Sequence, residues 1–183
     1  MLRIVLQGIG VIILILAVTI VTLKIANQGA DGPSILFPGG ELVSGELHTG
    51  SDPDWRFTDD VFTIELQLVN PLSSRVIFIM ESDGKVYIPS GYMQSFLGRI
   101  WKEWAFQADE GDGLAVARIN GTRYERQLIR IKDTDVIDGI AAKFGSKYAG
   151  GDPPEAAAAF FKKSVTDGDT WIFEMAPRDG DGT

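Results

Sequence analysis

Leu114-Ala-Val-Ala-Arg-Ile119-Asn120-Gly121-Thr122-Arg-Tyr-Glu-Arg-Gln-Leu-Ile-Arg-Ile-Lys132 is the stretch that decides the fold. Asn-Gly between two β-prone runs suits the positive φ of a type I′ turn, which predicts an antiparallel hairpin. In the return strand Tyr124, Arg126, Leu128 and Arg130 share one face, and Glu125, Gln127, Ile129 and Ile131 share the other. Neither face is purely apolar, so one half belongs to a core and the other to a groove or an edge. Asn120-Gly-Thr122 also matches a glycosylation sequon, but the turn explains it better.

Moving outward, Arg75-Val-Ile-Phe-Ile-Met80 is a continuous apolar run and reads as a central strand covered on both faces. Asp83-Gly84 then turns it back into Val86-Tyr-Ile88 as a second hairpin. Val61 to Val69 alternates as a strand that Asn70-Pro71 ends. Three helices interrupt the strands. Gln94 to Phe106 carries Phe96, Leu97, Ile100, Trp101 and Trp104 at helical spacing. Thr134 is placed to cap a helix bearing Val136, Ile137, Ile140, Ala141 and Phe144. Pro154 opens a third, which closes on Lys162 and Lys163 where the helix dipole favours cations. A last strand from Thr170 to Met175 stops at Pro177. Roughly six strands and about three helices make an α+β protein with an antiparallel barrel rather than a doubly wound parallel sheet.

The N-terminus is of another kind. From Ile4 to Leu23 the polar side chains are Gln7 and two Thr; as a helix, such a run of about 20 residues spans about 30 Å, a hydrocarbon core. A signal peptide is the rival reading, but its apolar region runs about 7–15 residues before a small-x-small site. The run is therefore read as a single-pass transmembrane helix, 4–23, with the bilayer as partner. Arg3 and the amino group lean the N-terminus towards the cytoplasm and the remainder outside. Residues 24–40, with Gly29, Gly32, Pro33, Pro38, Gly39 and Gly40, read as a linker; 41–177 as the soluble domain; 178–183 as a disordered tail.

Composition excludes several classes. The 183 residues contain no Cys, one His and 25 Asp+Glu against 17 Lys+Arg, a net charge of −8. Zinc fingers, iron–sulfur clusters and thiol nucleophiles are absent. The acidic balance argues against nucleic acid as a partner. It also predicts that an anionic leaflet repels the domain and holds it off the membrane surface. His48 is one general-base candidate, with a structural role the alternative. Asp52, Asp54, Asp59 and Asp60 around Trp55 read as solvated loop carboxylates before a cation site, so no metal is assigned. No phosphate-loop, dinucleotide or nucleophile-elbow motif is present. What remains is Tyr87-Ile-Pro-Ser-Gly91 followed by a helix bearing Arg99 and Lys102, with Arg118, Arg123 and Arg126 on the next hairpin. Such a cluster can hold a phosphate, with Ser90 and backbone N–H groups completing it. A salt-bridged helix with a packed Trp face stays open beside it.

The order of strand, Asp-Gly turn, Tyr-Ile-Pro-Ser-Gly, a helix with Lys-x-Trp, and then the Leu114 hairpin resembles the flavin-binding split β-barrel. It is most similar to the deazaflavin-dependent nitroreductase family, related to pyridoxamine-phosphate oxidases. The resemblance spans Arg75 to Pro177. It implies FMN or a deazaflavin as cofactor, contacted by Pro89, Ser90, Gly91, Arg99 and Lys102; Trp101 and Trp104 are read as either stacking on a planar ring or simply packing. It also implies a homodimer, since such barrels are often dimers with the cofactor between subunits. Phe106-Gln-Ala-Asp-Glu-Gly-Asp-Gly113 departs from the family as an acidic, flexible insertion, and Gly39 to Trp55 has no counterpart. Two functions follow: a membrane-anchored oxidoreductase of small electron acceptors such as quinones, with no catalytic side chain assigned; or a barrel without catalysis serving as an envelope binding or scaffold module.

Overall fold

The computed structural model describes residues 2–34, 37–132 and 135–178. An apolar helix, α1 (Leu2–Asn27), precedes an α+β domain and is long and apolar enough to cross a membrane. Its large apolar side chains lie exposed rather than against the domain.

The sheet is built from β1 (Glu46–Leu47), β2 (Thr63–Leu68), β3 (Ser73–Phe78), β4 (Met80–Ser82), β5 (Lys85–Ser90), β6 (Leu114–Ile119), β7 (Thr122–Ile131) and β8 (Trp171–Pro177). Its order is β3-β2-β6-β7-β8-β5-β4 with every neighbouring pair antiparallel, while β1 runs parallel to the start of β7. Both expected turns carry positive φ at their two central residues, Asp83 (52°) and Gly84 (75°), then Asn120 (49°) and Gly121 (83°).

The run from Arg75 to Met80 corrects the expectation of one central strand. It breaks at Ile79, and β3 and β4 lie at opposite ends of the strand order. This one segment thus joins the two edges and curls the sheet into a barrel, leaving β3 beside β5 without a ladder. Val76 and Phe78 remain half-exposed on the outer face, so the run is not covered on both sides. Its unbroken hydrophobicity reflects a core on one face and an open apolar cleft on the other.

Tyr148 and Lys147 hold the break. Tyr148 Oη accepts from the Ile79 N–H (3.1 Å) and lies 2.7 Å from the Ile79 carbonyl, while Lys147 Nζ donates to the carbonyls of Ile79 (2.9 Å) and Thr58 (2.7 Å).

Two apolar layers follow from strand alternation. Ile64, Leu66, Leu68, Val86, Ile88, Ala115, Ala117, Phe173 and Met175 fill the barrel with Trp55 and Trp104. Met80, Tyr87 and Ile172 point the other way, against Ile140, Ala141 and Phe161 of α4 (Ile137–Tyr148) and α5 (Pro154–Thr166). The helices cross closely at Gly145, where a Cβ would meet the Pro154 carbonyl oxygen at 2.2 Å. Pro154 begins α5 and Lys163 lies in its last turn. Thr134, the expected cap of α4, lies outside the described residues.

The helix expected from Gln94 to Phe106 is two: α2 (Phe96–Trp101) and α3 (Glu103–Glu110), parted at Lys102 (φ −110°, ψ 21°). The acidic stretch expected to be a flexible insertion is instead helical to Glu110. Asp109 pairs with Arg130 at 2.7 Å, and Asp112 accepts from the Leu114 N–H at 3.0 Å. With a six-residue 3-10 turn, Trp55–Asp60, and the split helix, the helices outnumber those expected. After α1 the chain folds directly onto the barrel: Asn27 Nδ2 donates to the Pro38 carbonyl (2.8 Å), and Gly39 and Ser74 exchange backbone hydrogen bonds (both 2.9 Å). At the other end Arg178 donates to Glu125 (2.8 Å) and the Ala115 carbonyl (3.0 Å).

Candidate functional site

A cleft of about 460 Å³ lies on the outer face of the barrel, along the unpaired seam between β3 and β5. Val76 and Phe78 of β3 form one wall, Pro89 and Gly91 the other. Phe144 of α4 and Phe160 and Phe161 of α5 line it from above, with Tyr92 and Lys102 also in its lining. The seam suits a proline, because residues 88–90 pair with β8 alone and one side of the strand has no ladder for Pro89 to break.

The polar groups in this apolar lining are few. Ser164 Oγ and Thr170 Oγ1 are 2.7 Å apart. Asp169 accepts from the Gln94 N–H at 3.3 Å, and its carbonyl accepts from the Met93 N–H at 2.9 Å, which ties the loop after β5 to the start of β8. Lys102 supplies the positive charge. No carboxylate forms an ion pair with it among the described residues. Burial, and then the nearby Arg75 guanidinium, hold its ammonium below the ordinary lysine pKa. An anion in the cleft would relieve both penalties.

Arg75 is the residue that sequence reasoning missed. In register with Leu66 it points inward, where burial pulls its guanidinium down to about 10. Nη2 lies 2.5 Å from Ser73 Oγ, and the guanidinium stands 5.3 Å from the centre of the Trp104 ring. Its Nε has no hydrogen-bond partner among the described residues. The signal was an arginine at an inward position of an apolar strand.

The structure brings together only part of the expected site. Pro89, Gly91 and Lys102 line the cleft. Ser90 alternates to the barrel interior, fully buried, with its hydroxyl 3.2 Å from Met93 Sδ. Arg99 and Trp101 are exposed and outside the cleft lining, because the helix parts at Lys102. Trp104, by contrast, is buried beside Phe173.

The other three cations are used elsewhere. Arg118 pairs with Glu65 (2.5 Å) and Asp31 (2.7 Å), and Arg123 donates to the carbonyls of Gly45 and Leu42 (both 3.1 Å). Arg126 pairs with Asp52 (2.6 Å) against the Trp55 ring. His48 lies 2.9 Å from the Ser51 carbonyl and against Tyr124, also outside the cleft lining. Asp54 and Asp59 pair with Arg56 and Lys143.

No family model matches the chain, and no curated protein matches it. Among solved structures it is similar to the crystal structure of a conserved hypothetical protein, Rv2991, from Mycobacterium tuberculosis. The identity is 10%, the TM-score 0.44, and the match covers 67% of this chain and 76% of that one.

Proposed function

We propose that this protein is a membrane-tethered barrel whose β3–β5 cleft binds a flat aromatic molecule with an anionic group, of the flavin or deazaflavin class, in an oxidoreductase of small electron acceptors such as quinones. In this reading α1 is the tether, with its N-terminus on the cytoplasmic side. One observation carries the proposal: a cleft of ligand size, walled by Phe78, Phe144, Phe160 and Phe161, holds a half-buried lysine that has no carboxylate ion-pair partner among the described residues. Small-molecule sites have this character, apolar and of about 300–1,000 Å³ with a few polar groups.

The residues present fit the ring better than its phosphate. The aromatic walls suit a planar ring and Lys102 suits one anionic group, while Asp169, a carboxylate of the same lining, keeps that group to the Lys102 side of the cleft. They do not build the phosphate cage that Ser90, Arg99 and Lys102 were expected to form, so no chemical step is derived through a cofactor. That shortfall favours a second reading, in which the same cleft holds an amphiphilic anion without catalysis.

Fluorescence and absorbance titration of detergent-purified full-length protein with FMN, and separately with a deazaflavin, tests the first reading. Lys102→Ala is expected to weaken binding by about 10- to 150-fold, the scale of a charge-assisted hydrogen bond worth ~1.5–3 kcal/mol. Saturable binding unaffected by the substitution rejects the assignment of Lys102. Absence of binding to the wild type rejects the cofactor and leaves the second reading.

A further inference from the structure

The loop after β5 and α2 display apolar side chains outward rather than inward. Tyr92 is 70% exposed, Phe96 78%, Ile100 58% and Trp101 74%. The display is built: Ser95 Oγ accepts from the Gly98 N–H (2.9 Å) and donates to the Tyr92 carbonyl (3.0 Å). Gly98 sits where a Cβ would lie 1.7 Å from that carbonyl oxygen. Tyr92 is held at φ 63°, a conformation a bulky side chain rarely takes. A locked turn that spends backbone strain to point aromatic side chains at solvent needs a partner on that face.

The charge of this segment differs from that of the chain. Gly91 to Lys102 contains Arg99 and Lys102 and no Asp or Glu, within a protein of net charge −8. Exposed charges beyond about 8–10 Å are largely screened, so the local sign governs contact with an anionic surface.

Position argues for a membrane. The segment that follows the tether packs on the strand beside this face: Gly39 exchanges backbone hydrogen bonds with Ser74, and the next residue, Arg75, reaches Trp104 and the neighbourhood of Lys102. Among the described residues after α1, Asn27, Ala30 and Asp31 hydrogen-bond to later segments, Asp31 directly to Arg118 of the barrel. Aromatic side chains with a flanking cation are the composition of the headgroup layer.

We infer that Tyr92 and the outward face of α2, with Phe96, Arg99, Ile100 and Trp101, form a second bilayer contact in the headgroup region of the membrane that α1 crosses. This rests on the tether reading above and reverses the expectation that the domain's net charge holds it off the surface. Because Tyr92 also lines the cleft, the cleft mouth then lies at the lipid surface.

The tryptophans make this testable in the full chain. Residues 1–27 contain no Trp. Trp55 and Trp104 are buried, and Trp171 packs against Phe106 and Arg130, which leaves Trp101 as the exposed indole. Full-length protein is reconstituted in phosphatidylcholine–phosphatidylglycerol vesicles, with and without phosphatidylcholine brominated high on the acyl chain. Bromolipid is expected to quench wild-type emission, and W101F, matched to wild type by circular dichroism, to abolish that difference. Equal wild-type emission in the two vesicles, or quenching that persists in W101F, overturns the inference. Trp101 shielded from iodide yet untouched by bromolipid also overturns it and assigns the face to a second copy of the chain. Flotation separates the two failures: protein that does not float with vesicles removes the tether as well, whereas protein that floats unquenched removes only the α2 contact.

Discussion

Tyr148→Phe removes one oxygen from the point where the barrel closes. The Ile79 N–H belongs to a fully buried residue, and its hydrogen-bond partner among the described residues is Tyr148 Oη at 3.1 Å. The same hydroxyl has a single proton for the carbonyls of Ile79 (2.7 Å) and Phe62 (2.8 Å). In the variant the Ile79 carbonyl keeps Lys147 Nζ, so the stranded group is the donor. A buried unsatisfied donor costs about 1–3 kcal/mol and the lost hydrogen bond to carbonyl about 0.5–1.5 more. The expected loss is about 2–3 kcal/mol, or roughly 5–10 °C in Tm for a chain of this size.

The same group has a signature in pH. Burial pushes the Tyr148 phenol up to about 12, against an unfolded value near 10. Below pH ~10 both states hold the proton and the full stability is present; from there to about 12 the unfolded chain releases it first, so wild-type stability falls as pH rises. Thermal unfolding by circular dichroism of full-length protein in detergent, run across that window, should show a steeper fall in wild type than in the variant, in which Tyr87 and Tyr124, whose phenols burial also raises, still contribute. Amide exchange at Ile79 should accelerate. A loss under about 0.5 kcal/mol with unchanged Ile79 exchange, or an alkaline fall as steep in the variant as in wild type, refutes the role given to this hydroxyl.

Lys147 predicts the opposite slope just below: burial lowers its pKa to about 8, so between pH 8 and ~10.4 the unfolded chain binds the extra proton and stability rises with pH. Lys147→Met should lack that rise in the same unfolding assay. Gly98→Ala drives a Cβ into the Tyr92 carbonyl and should cost at least about 1–3 kcal/mol while abolishing ligand titration, since Gly91 and Tyr92 line the cleft; unaltered titration would refute the coupling. Hydrogen bonds from Ser44, the Val43 N–H and Arg118 hold the Asp31 carboxyl well below the usual carboxylate range. The attachment of the segment after α1 should therefore be at full strength in wild type above pH ~4 and weaken progressively as pH falls further, whereas Asp31→Asn loosens it at neutral pH. Limited proteolysis between residues 28 and 45 reads the difference, and equal cleavage of the two proteins counts against the clamp.

Local chemistry explains what could be read without coordinates. Asp83-Gly84 and Asn120-Gly121 are turns because their positive φ is intrinsic to those residue types, and two such hairpins already imply an antiparallel sheet. Pro154 and Lys163 mark the ends of α5 by backbone and dipole effects that act within one turn. The site was less legible. Strand alternation carries Pro89 to the cleft and Ser90 to the core, one residue apart, and the parting of α2 from α3 at Lys102 leaves Arg99 exposed and Lys102 half-buried. Arg118, Arg123 and Arg126 looked like a phosphate site because their distant partners Asp31, Leu42, Gly45 and Asp52 are invisible to spacing.

By itself the sequence determined an apolar N-terminal helix, two hairpins, an α+β class and the absence of thiol chemistry, all of which follow from residue type and short-range geometry. The tertiary structure alone decided that the run from Arg75 to Met80 bends at Ile79 to join both sheet edges. It also decided that the seam so formed is an apolar cleft lined by Lys102, which among the described residues has no carboxylate ion-pair partner. These are outcomes of long-range pairing: which strand lacks a neighbour and which charge lacks a partner depend on residues far apart in the chain, and no local pattern encodes them.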